Sequence, residues 1–481
     1  MALSAKIAFN TGIQVISKIV GTLVSLAVVA LITRYLGNYG FGYYTTALTF
    51  VTFFSIAGDL GLTLVTTQLI SRPGANQARI LSNLFAFRVL SAAAILLIAP
   101  LIVVFFPYDP IVKQGIAVTA LAFFFVLLNQ VFVSLFQKEL RADRIAVAEV
   151  VSRLVMFAAT ALVLWFDWGL MGILWSMAIA NGVSFFIHYY YSRPYAKIGF
   201  AFDWSLWSDI MSRAWPLVLT IVLNLVYLKT DTLLLSLLKS PTDVGLYGAA
   251  YKVVDVLVAI PFMIGGTILP ILSMRWQSGA REDYSRAWQK IFDATSLLVW
   301  PAIIGGYVLA TPIMAVVAGT DFVGAGPILE ILIFAVGGVF FSSFFSYTMI
   351  SFNSQRKLIG AYLFTALTAL VLYLIFIPRF SYIGAAWVTV YSEIAITLGA
   401  WWLVRRYGKL TARWNVFFKA LLAALAMGAL IKFLPIDFQT VSGLSIAIVT
   451  GAALYGAIIL AIKAISWSEI REMLTGKSRS V

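Results

Sequence analysis

The sequence has no cysteine and only one histidine, His188. The absence of cysteine excludes disulfides, thiolate metal sites and cysteine nucleophiles. His188 has no second histidine to act with, the loops carry no Asp-x-Asp pair, and no external loop is long enough to form an acceptor-sugar site. We therefore predict that the protein is not an enzyme and that it has no catalytic residue and no metal site.

A phosphate-binding loop is missing as well. Gly476-Lys477-Ser478 is similar to the end of a Walker A motif. The motif requires a glycine five positions before Gly476, and this position is Arg471. No strand precedes this segment, as a Walker A motif requires. We expect no built-in ATPase and no cofactor beyond a coupling ion, H⁺ or Na⁺.

Charged residues are scarce. They form 11% of the chain, against 62% hydrophobic residues, and the mean hydropathy is +0.96. Apolar runs of about 20 residues indicate membrane-spanning helices, because barrel strands would show ten-residue alternating segments. The first run, roughly residues 12–32, is too long for a signal-peptide core and lacks a small-residue cleavage site, so we interpret it as a span.

The apolar runs predict an all-α polytopic membrane protein with about fourteen transmembrane helices. The predicted spans are 12–33, 43–66, 80–106, 115–137, 147–166, 169–191, 214–237, 246–272, 292–317, 326–350, 358–377, 382–403, 414–434 and 442–463. The loops on one predicted side of the membrane carry 21 Lys and Arg residues in total, and the loops on the other side carry 5. The positive-inside rule therefore predicts cytoplasmic N- and C-termini, and it explains the net charge of +14 without nucleic-acid binding.

An internal repeat divides the chain. Residues 41–47 (FGYYTTA) align with 244–250 (VGLYGAA) at an offset of 203, and 171–175 align with 383–387. Six spans per copy predict two parallel lobes. We place them at 1–191 and 213–407, joined by a cytoplasmic linker, 192–212, and followed by two extra helices and a tail, 408–481. The aromatic residues of the linker suggest an interfacial segment or an ordinary loop. We interpret the repeated glycine-aromatic turns as paired outer-gate elements in which glycine allows close helix approach.

Ionisable side chains inside the spans are the candidate functional residues, because each costs about 2.5–3.5 kcal/mol at a helix centre and normally faces a wet cavity or a partner. We predict that five cations bind an anionic substrate: Lys18, Arg88, Arg153, Lys229 and Lys252. We predict that five anions couple transport to an ion or close the gates: Asp59, Asp231, Asp255, Glu330 and Glu393.

Some of these charges have a structural alternative. Glu149 and Arg153 are four residues apart, and Lys252 and Asp255 are three apart, so either pair could neutralise itself on one helix face. His188 is typical of an interfacial or core histidine more than of a proton relay. Four tyrosines near the outer ends of spans are either interfacial or sugar-stacking residues. They are Tyr43, Tyr44, Tyr247 and Tyr251.

Several motifs together resemble those of the polysaccharide transporter family, the Wzx-type oligosaccharide flippases. They are the Arg34-Tyr-Leu-Gly-x-x-x-Phe-Gly-x-Tyr44 segment, Asp59-Leu-Gly61, Asp231 with Val244-Gly-Leu-Tyr247, Ala250-Tyr251 and Leu269-Pro270. The resemblance implies the MOP superfamily fold, with two six-helix lobes around a central cavity. Fourteen spans are similar to the lipid II flippase branch, whose cavity arginines lie on the first and eighth helices. Lys18 and Lys252 on those helices match in charge only, because lysine lacks the bidentate fork of arginine.

The resemblance implies a flippase that moves undecaprenyl-diphosphate-linked oligosaccharide from the cytoplasmic to the outer leaflet of the bacterial inner membrane. Such a protein serves the assembly of cell-surface polysaccharide such as O-antigen. The implied partners are membrane lipid, the lipid-linked oligosaccharide and other polysaccharide-assembly proteins, and we predict a monomer. The alternatives are a MATE-type exporter of cationic drugs, a membrane glycan polymerase or glycosyltransferase, and a scaffold within an assembly complex.

Overall fold

The computed structural model describes residues 3–59, 62, 66, 69–70 and 76–464, without the side chains of 3–11, 15, 56–59, 95, 213–228 and 266–267. Within these residues the regular secondary structure is helical and contains no strand. The chain forms two compact units, Met1–Gly248 and Ala249–Val481. The two units are defined by packing and not by the internal repeat. The predicted lobe boundaries therefore stay a prediction.

The first unit contains six helices and the start of a seventh. They are α1 Leu3–Asp59, α2 Gln77–Val103, α3 Pro110–Lys138, α4 Ala142–Phe166, α5 Gly169–Ser192, α6 Trp204–Leu238 and α7 Pro241–Gln277, which continues into the second unit. The second unit adds α8 Arg281–Val308, α9 Ala310–Val317, α10 Gly326–Ser351, α11 Leu358–Leu403, α12 Asn415–Lys432 and α13 Val441–Ala461. Asparagine, aspartate and threonine caps begin α2, α6 and α13 by accepting a backbone N–H.

Single residues with positive φ divide α1 and α11 into two spans each. Gly37 has φ 63° in α1 and Ser381 has φ 49° in α11. The Tyr391 hydroxyl donates to Thr368 Oγ1 over 3.0 Å. In one straight helix these residues would be roughly 34 Å apart. The chain therefore reverses at Ser381, between the predicted spans eleven and twelve.

The number of spans agrees with the sequence prediction. In the described part of the chain, eleven helices are long and apolar enough to cross a membrane. Two of them contain the breaks at Gly37 and Ser381, and α6 coincides with predicted span seven, which gives fourteen. Span nine is interrupted at Leu309, where α8 ends and α9 begins. Pro312 explains the interruption, because it lacks the N–H that would bond the carbonyl of Val308.

The segment before α6 is attached to α2. The Arg79 guanidinium donates to the Asp203 carboxylate, which also caps α6. This hydrogen bond holds the pKa of Asp203 below its ordinary value. In α6, Trp207 is buried with its ring 4.9 Å from that of Phe87. Helix α6 therefore begins inside the predicted linker, and the interfacial position of the linker stays a prediction.

Candidate functional site

A cavity of about 440 Å³ with both polar and apolar side chains in its wall lies in the first unit, among α1, α3, α4 and α5. Its polar lining consists of Ser25, Asn129, Gln130, Glu149, Ser152, Arg153, Asn181, Ser184 and His188. All of these residues belong to predicted spans, and valine, methionine, alanine and one tyrosine, Tyr44, complete the wall. Polar groups at this depth are costly and normally mark a substrate path. We therefore take this cavity as the candidate functional site.

Arg153 of α4 is held against α1. Its Nη1 atom donates to the Gly21 carbonyl over 3.1 Å and contacts Ser25 Oγ. A side chain at Gly21 would displace the guanidinium, because a Cβ there would lie 2.7 Å from Arg153 Nε. Glycine at this position therefore lets the arginine dock on α1 while its charge remains on the cavity wall.

Glu149 does not neutralise Arg153 by an ion pair among the described residues. Its side chain is exposed and lines the same cavity, one helical turn away. The structural alternative for this pair, neutralisation on one helix face, is therefore not observed. The cavity presents one permanent cation and one carboxylate at separate positions on α4.

His188 and Asn129 offer the cavity buried hydrogen-bonding atoms. His188 is 2% exposed, and its Nδ1 lies 2.9 Å from the Ser184 carbonyl. Because a carbonyl only accepts, Nδ1 carries the proton, and in the neutral form of the ring Nε2 is an acceptor. Within the described chain, His188 Nε2 and Asn129 Oδ1 are buried without a hydrogen-bond partner. The expectation of a core histidine is confirmed, and the residue also belongs to the cavity lining.

The other predicted substrate-binding cations lie outside this lining. Arg88 is fully buried in α2, whereas Lys18 in α1 and Lys229 in α6 are half-buried. Lys252 in α7 is half-buried and belongs to the second unit. Of the five cations, the structure therefore brings only Arg153 into the cavity of the first unit, and the roles of the others stay predictions.

The predicted coupling and gating anions occupy varied environments. Asp59 ends α1, and its side chain lies outside the described residues. Glu393 is 2% exposed, Glu330 is half-buried and Asp255 is exposed, all in the second unit. Their proposed roles in coupling and gating stay predictions.

Asp231 forms a buried hydrogen-bonded group with Tyr247. The Tyr247 hydroxyl donates to Asp231 Oδ2 over 2.7 Å, and the Thr232 N–H donates to Oδ1 over 2.6 Å. Both the aspartate and the tyrosine are 0% exposed. Neither alternative given for Tyr247, an interfacial or a sugar-stacking residue, fits this structure, because its ring is enclosed by protein and its hydroxyl is engaged.

We expect Tyr247→Phe to destabilise the protein, because the substitution removes one donor from a buried carboxylate. The loss of such a bond costs about 1–3 kcal/mol. Thermal unfolding in detergent would measure the effect, with Tyr190→Phe as the control because Tyr190 is 65% exposed. Equal unfolding temperatures for the two variants would contradict a stabilising role for this hydrogen bond.

The two copies of the glycine-aromatic segment are helical in the structure, the first in α1 after the break at Gly37 and the second at the start of α7, and they pack directly against each other within the first unit. A Cβ on Gly42 would lie 1.8 Å from the Pro241 carbonyl oxygen, and one on Gly245 would lie 1.9 Å from the Asn38 carbonyl oxygen. The repeat offset of 203 maps Asn38 onto Pro241 and Gly42 onto Gly245. We call this reciprocal arrangement the glycine contact. It confirms that glycine allows close helix approach here, and its role as a gate stays a prediction.

The uncharged polar residues of the cavity were not selected from the sequence. Charge marks ionisable groups in an apolar span, whereas the polar part of this lining consists mostly of amides and hydroxyls. The adjacent amides Asn129 and Gln130 interrupt the apolar run of predicted span four, and Asn181 interrupts span six. Such interruptions were the available signal.

The fold and the sequence have known counterparts. A structure titled lipid II flippase MurJ, inward closed conformation, matches with a TM-score of 0.78 and 17% identity over 98% of this chain and 100% of that chain. An inward-facing MATE multidrug resistance transporter of the MOP superfamily matches with a TM-score of 0.67 and 14% identity over 81% of this chain and 95% of that chain. These likenesses show the MOP fold.

Sequence comparison adds a distant relative and a family. An uncharacterized membrane protein of Methanocaldococcus jannaschii is 23% identical over 163 residues, which is 33% of this chain and 31% of that protein. The chain therefore spans about a third of this relative. The model of the polysaccharide biosynthesis protein family matches residues 7–276. Because this match covers more than half of the chain, the protein, whose described part contains eleven helices long and apolar enough to cross a membrane, belongs to the polysaccharide biosynthesis protein family.

Proposed function

We propose that the protein moves undecaprenyl-diphosphate-linked oligosaccharide from the cytoplasmic to the outer leaflet by alternating access, without ATP hydrolysis and without covalent catalysis. The observation that carries the proposal is the cavity around Arg153, inside the spans of a chain from a polysaccharide biosynthesis family. The guanidinium binds the diphosphate, because its planar fork matches phosphate oxygens. Sugar hydroxyls bind the amides and His188 of the same wall.

The remaining candidate residues act along the path of the headgroup. Lys18, Arg88, Lys229 and Lys252 supply positive charge at different depths, which a diphosphate crossing a low-dielectric region requires. Carboxylates couple movement to H⁺ or Na⁺ or pair with these cations when a gate closes. They are Asp59, Asp231, Asp255, Glu330 and Glu393.

This transporter works in the bacterial inner membrane with both termini in the cytoplasm. It acts in the assembly of cell-surface polysaccharide, such as O-antigen, and works with other assembly proteins.

A MATE-type exporter of cationic compounds is the second candidate. Glu149 favours it, because this carboxylate lines the cavity and could bind a cation. The two candidates differ in the charge of their substrates and therefore in which charged residue of α4 is essential.

Transport by the reconstituted protein decides between them. In proteoliposomes without ATP, a fluorescent polyprenyl-diphosphate sugar should become accessible in the opposite leaflet faster than in protein-free vesicles. Export of cationic dyes without movement of the labelled sugar lipid would refute the flippase proposal and support the MATE alternative.

We expect Glu149→Gln to keep or increase sugar-lipid movement. The substitution preserves the shape of the side chain and removes a negative charge that repels the diphosphate. The initial rate in the same proteoliposomes measures the effect. Loss of sugar-lipid movement in this variant, at normal amounts of folded protein, would assign Glu149 an essential role that the proposed function does not give it.

A further inference from the structure

A surface groove runs between the two halves of α11 in the second unit. Its volume is about 750 Å³, and its lining is predominantly apolar. Lys357 immediately precedes the first half of α11, and Trp402 lies near the end of the second half. We call it the α11 groove.

Small residues make the floor of the α11 groove and large residues make its walls. A Cβ on Gly399 would lie only 3.1 Å from that of Ala361, so the two halves approach closely there, whereas one on Gly360 would meet nothing within 4 Å. Phe364 and Leu398 stand at the walls with 61% and 56% of their surface exposed. This shape suits a flexible hydrocarbon chain.

The length of the groove matches one leaflet. Its lining runs from Lys357 to Thr365 on one half of α11 and from Tyr391 to Leu403 on the other. At 1.5 Å per residue, these stretches are about 12 and 18 Å long. The hydrocarbon of one leaflet is about 15 Å thick. The groove is therefore about as long as one leaflet is deep.

Positive charge gathers at one end of the groove. Lys357 is part of the lining, and its Nζ lies 3.2 Å from the ring centroid of Tyr407. The Arg406 guanidinium lies 5.1 Å from the ring centroid of Trp402, which is also part of the lining. Aromatic residues beside cations are typical of the membrane interface, where lipid phosphates lie.

We propose that the α11 groove binds one anionic phospholipid of the surrounding membrane. An acyl chain lies over Gly360 between the two halves of α11, and the phosphate contacts Lys357 and Arg406. The lipid is a resident ligand of the second unit. This site is independent of the proposed transport function, because it uses no residue of the cavity.

Native mass spectrometry of the purified full chain with added phosphatidylglycerol or phosphatidylcholine tests the site. Gly360→Leu should remove one bound phosphatidylglycerol, because the new side chain enters open space within the groove. Gly456→Leu is the matched control on α13, since a Cβ there also meets nothing within 4 Å. Lys357→Gln and Arg406→Gln should each weaken phosphatidylglycerol binding about five-fold.

The variants also provide the contrary outcomes. The proposal would be overturned if Gly360→Leu and the two charge variants bind phosphatidylglycerol as the wild type does. Equal occupancy by phosphatidylcholine would refute the anionic headgroup. Displacement of phosphatidylglycerol from the groove by undecaprenyl phosphate at equal concentration would identify a carrier-lipid site in place of the proposed one. Because the charge variants change exposed residues, they report on the site even where Gly360→Leu folds poorly.

Discussion

Gly245→Ala is expected to prevent α1 and the first turns of α7 from meeting as they do here, and to slow transport severely. The new Cβ would lie 1.9 Å from the Asn38 carbonyl oxygen, a backbone atom that cannot rotate away. A normal carbon–oxygen contact is about 3.3 Å or longer. The two helices must therefore move apart by about 1 Å or more. Overpacking of this kind costs about 1–3 kcal/mol, which lowers the population of the observed arrangement roughly 5- to 150-fold.

Gly42→Ala should have the same effect, because its Cβ would lie 1.8 Å from the Pro241 carbonyl oxygen. The initial transport rate in proteoliposomes measures both variants, and Gly456→Ala provides a control in open space. Normal transport by both glycine variants would show that the glycine contact is not part of the transport cycle.

A disulfide tests the same contact from the opposite direction. The Cβ position of Gly248 is 3.1 Å from Thr45 Cβ, a little shorter than the roughly 3.5–4.5 Å of a disulfide, so a slight separation of the helices accommodates the bond. The chain contains no cysteine that would compete. Oxidation of a Thr45→Cys, Gly248→Cys double variant should stop transport, and a reductant should restore it. Undiminished transport by the oxidised, cross-linked protein would mean that these helices need not separate.

Arg153→Gln is expected to weaken binding of the diphosphate-linked substrate about 10- to 100-fold. A hydrogen bond to a charged group contributes about 1.5–3 kcal/mol, and the substitution removes both the charge and the planar fork. The concentration dependence of the transport rate measures the change. Arg286→Gln is the matched control, because its side chain is 73% exposed.

Gly21→Ala separates the position of the guanidinium from its charge. Its Cβ would lie 2.7 Å from Arg153 Nε and 2.9 Å from Cδ, so it would displace a flexible side chain and no backbone. We expect folded protein with weakened substrate binding. Wild-type binding by both Arg153→Gln and Gly21→Ala would exclude this arginine from the substrate site.

The spans and the repeat could be predicted from the sequence because both depend on local patterns. Apolar runs gave fourteen spans, and the offset of 203 paired Gly42 with Gly245, which the structure places in reciprocal contacts. Helix orientation was not predictable in this way. Membrane helices are apolar on most sides, so the sequence does not show which face is turned inward. Arg153 was predicted because charge is rare in a span, whereas Asn129 and Asn181 carry no charge and their place in the cavity depends on packing.

The glycine contact also bears on which positions can vary among related proteins. Each glycine faces a backbone carbonyl, so the residue that supplies the carbonyl need not have a particular side chain. The two residues whose carbonyls make the contact differ, asparagine at 38 and proline at 241, whereas the two residues that face these carbonyls are both glycine. Relatives that form the same contact are therefore expected to keep small residues at 42 and 245, whereas the residues at 38 and 241 are expected to vary. This pattern arises from the geometry of the contact and not from the chemistry of the substrate.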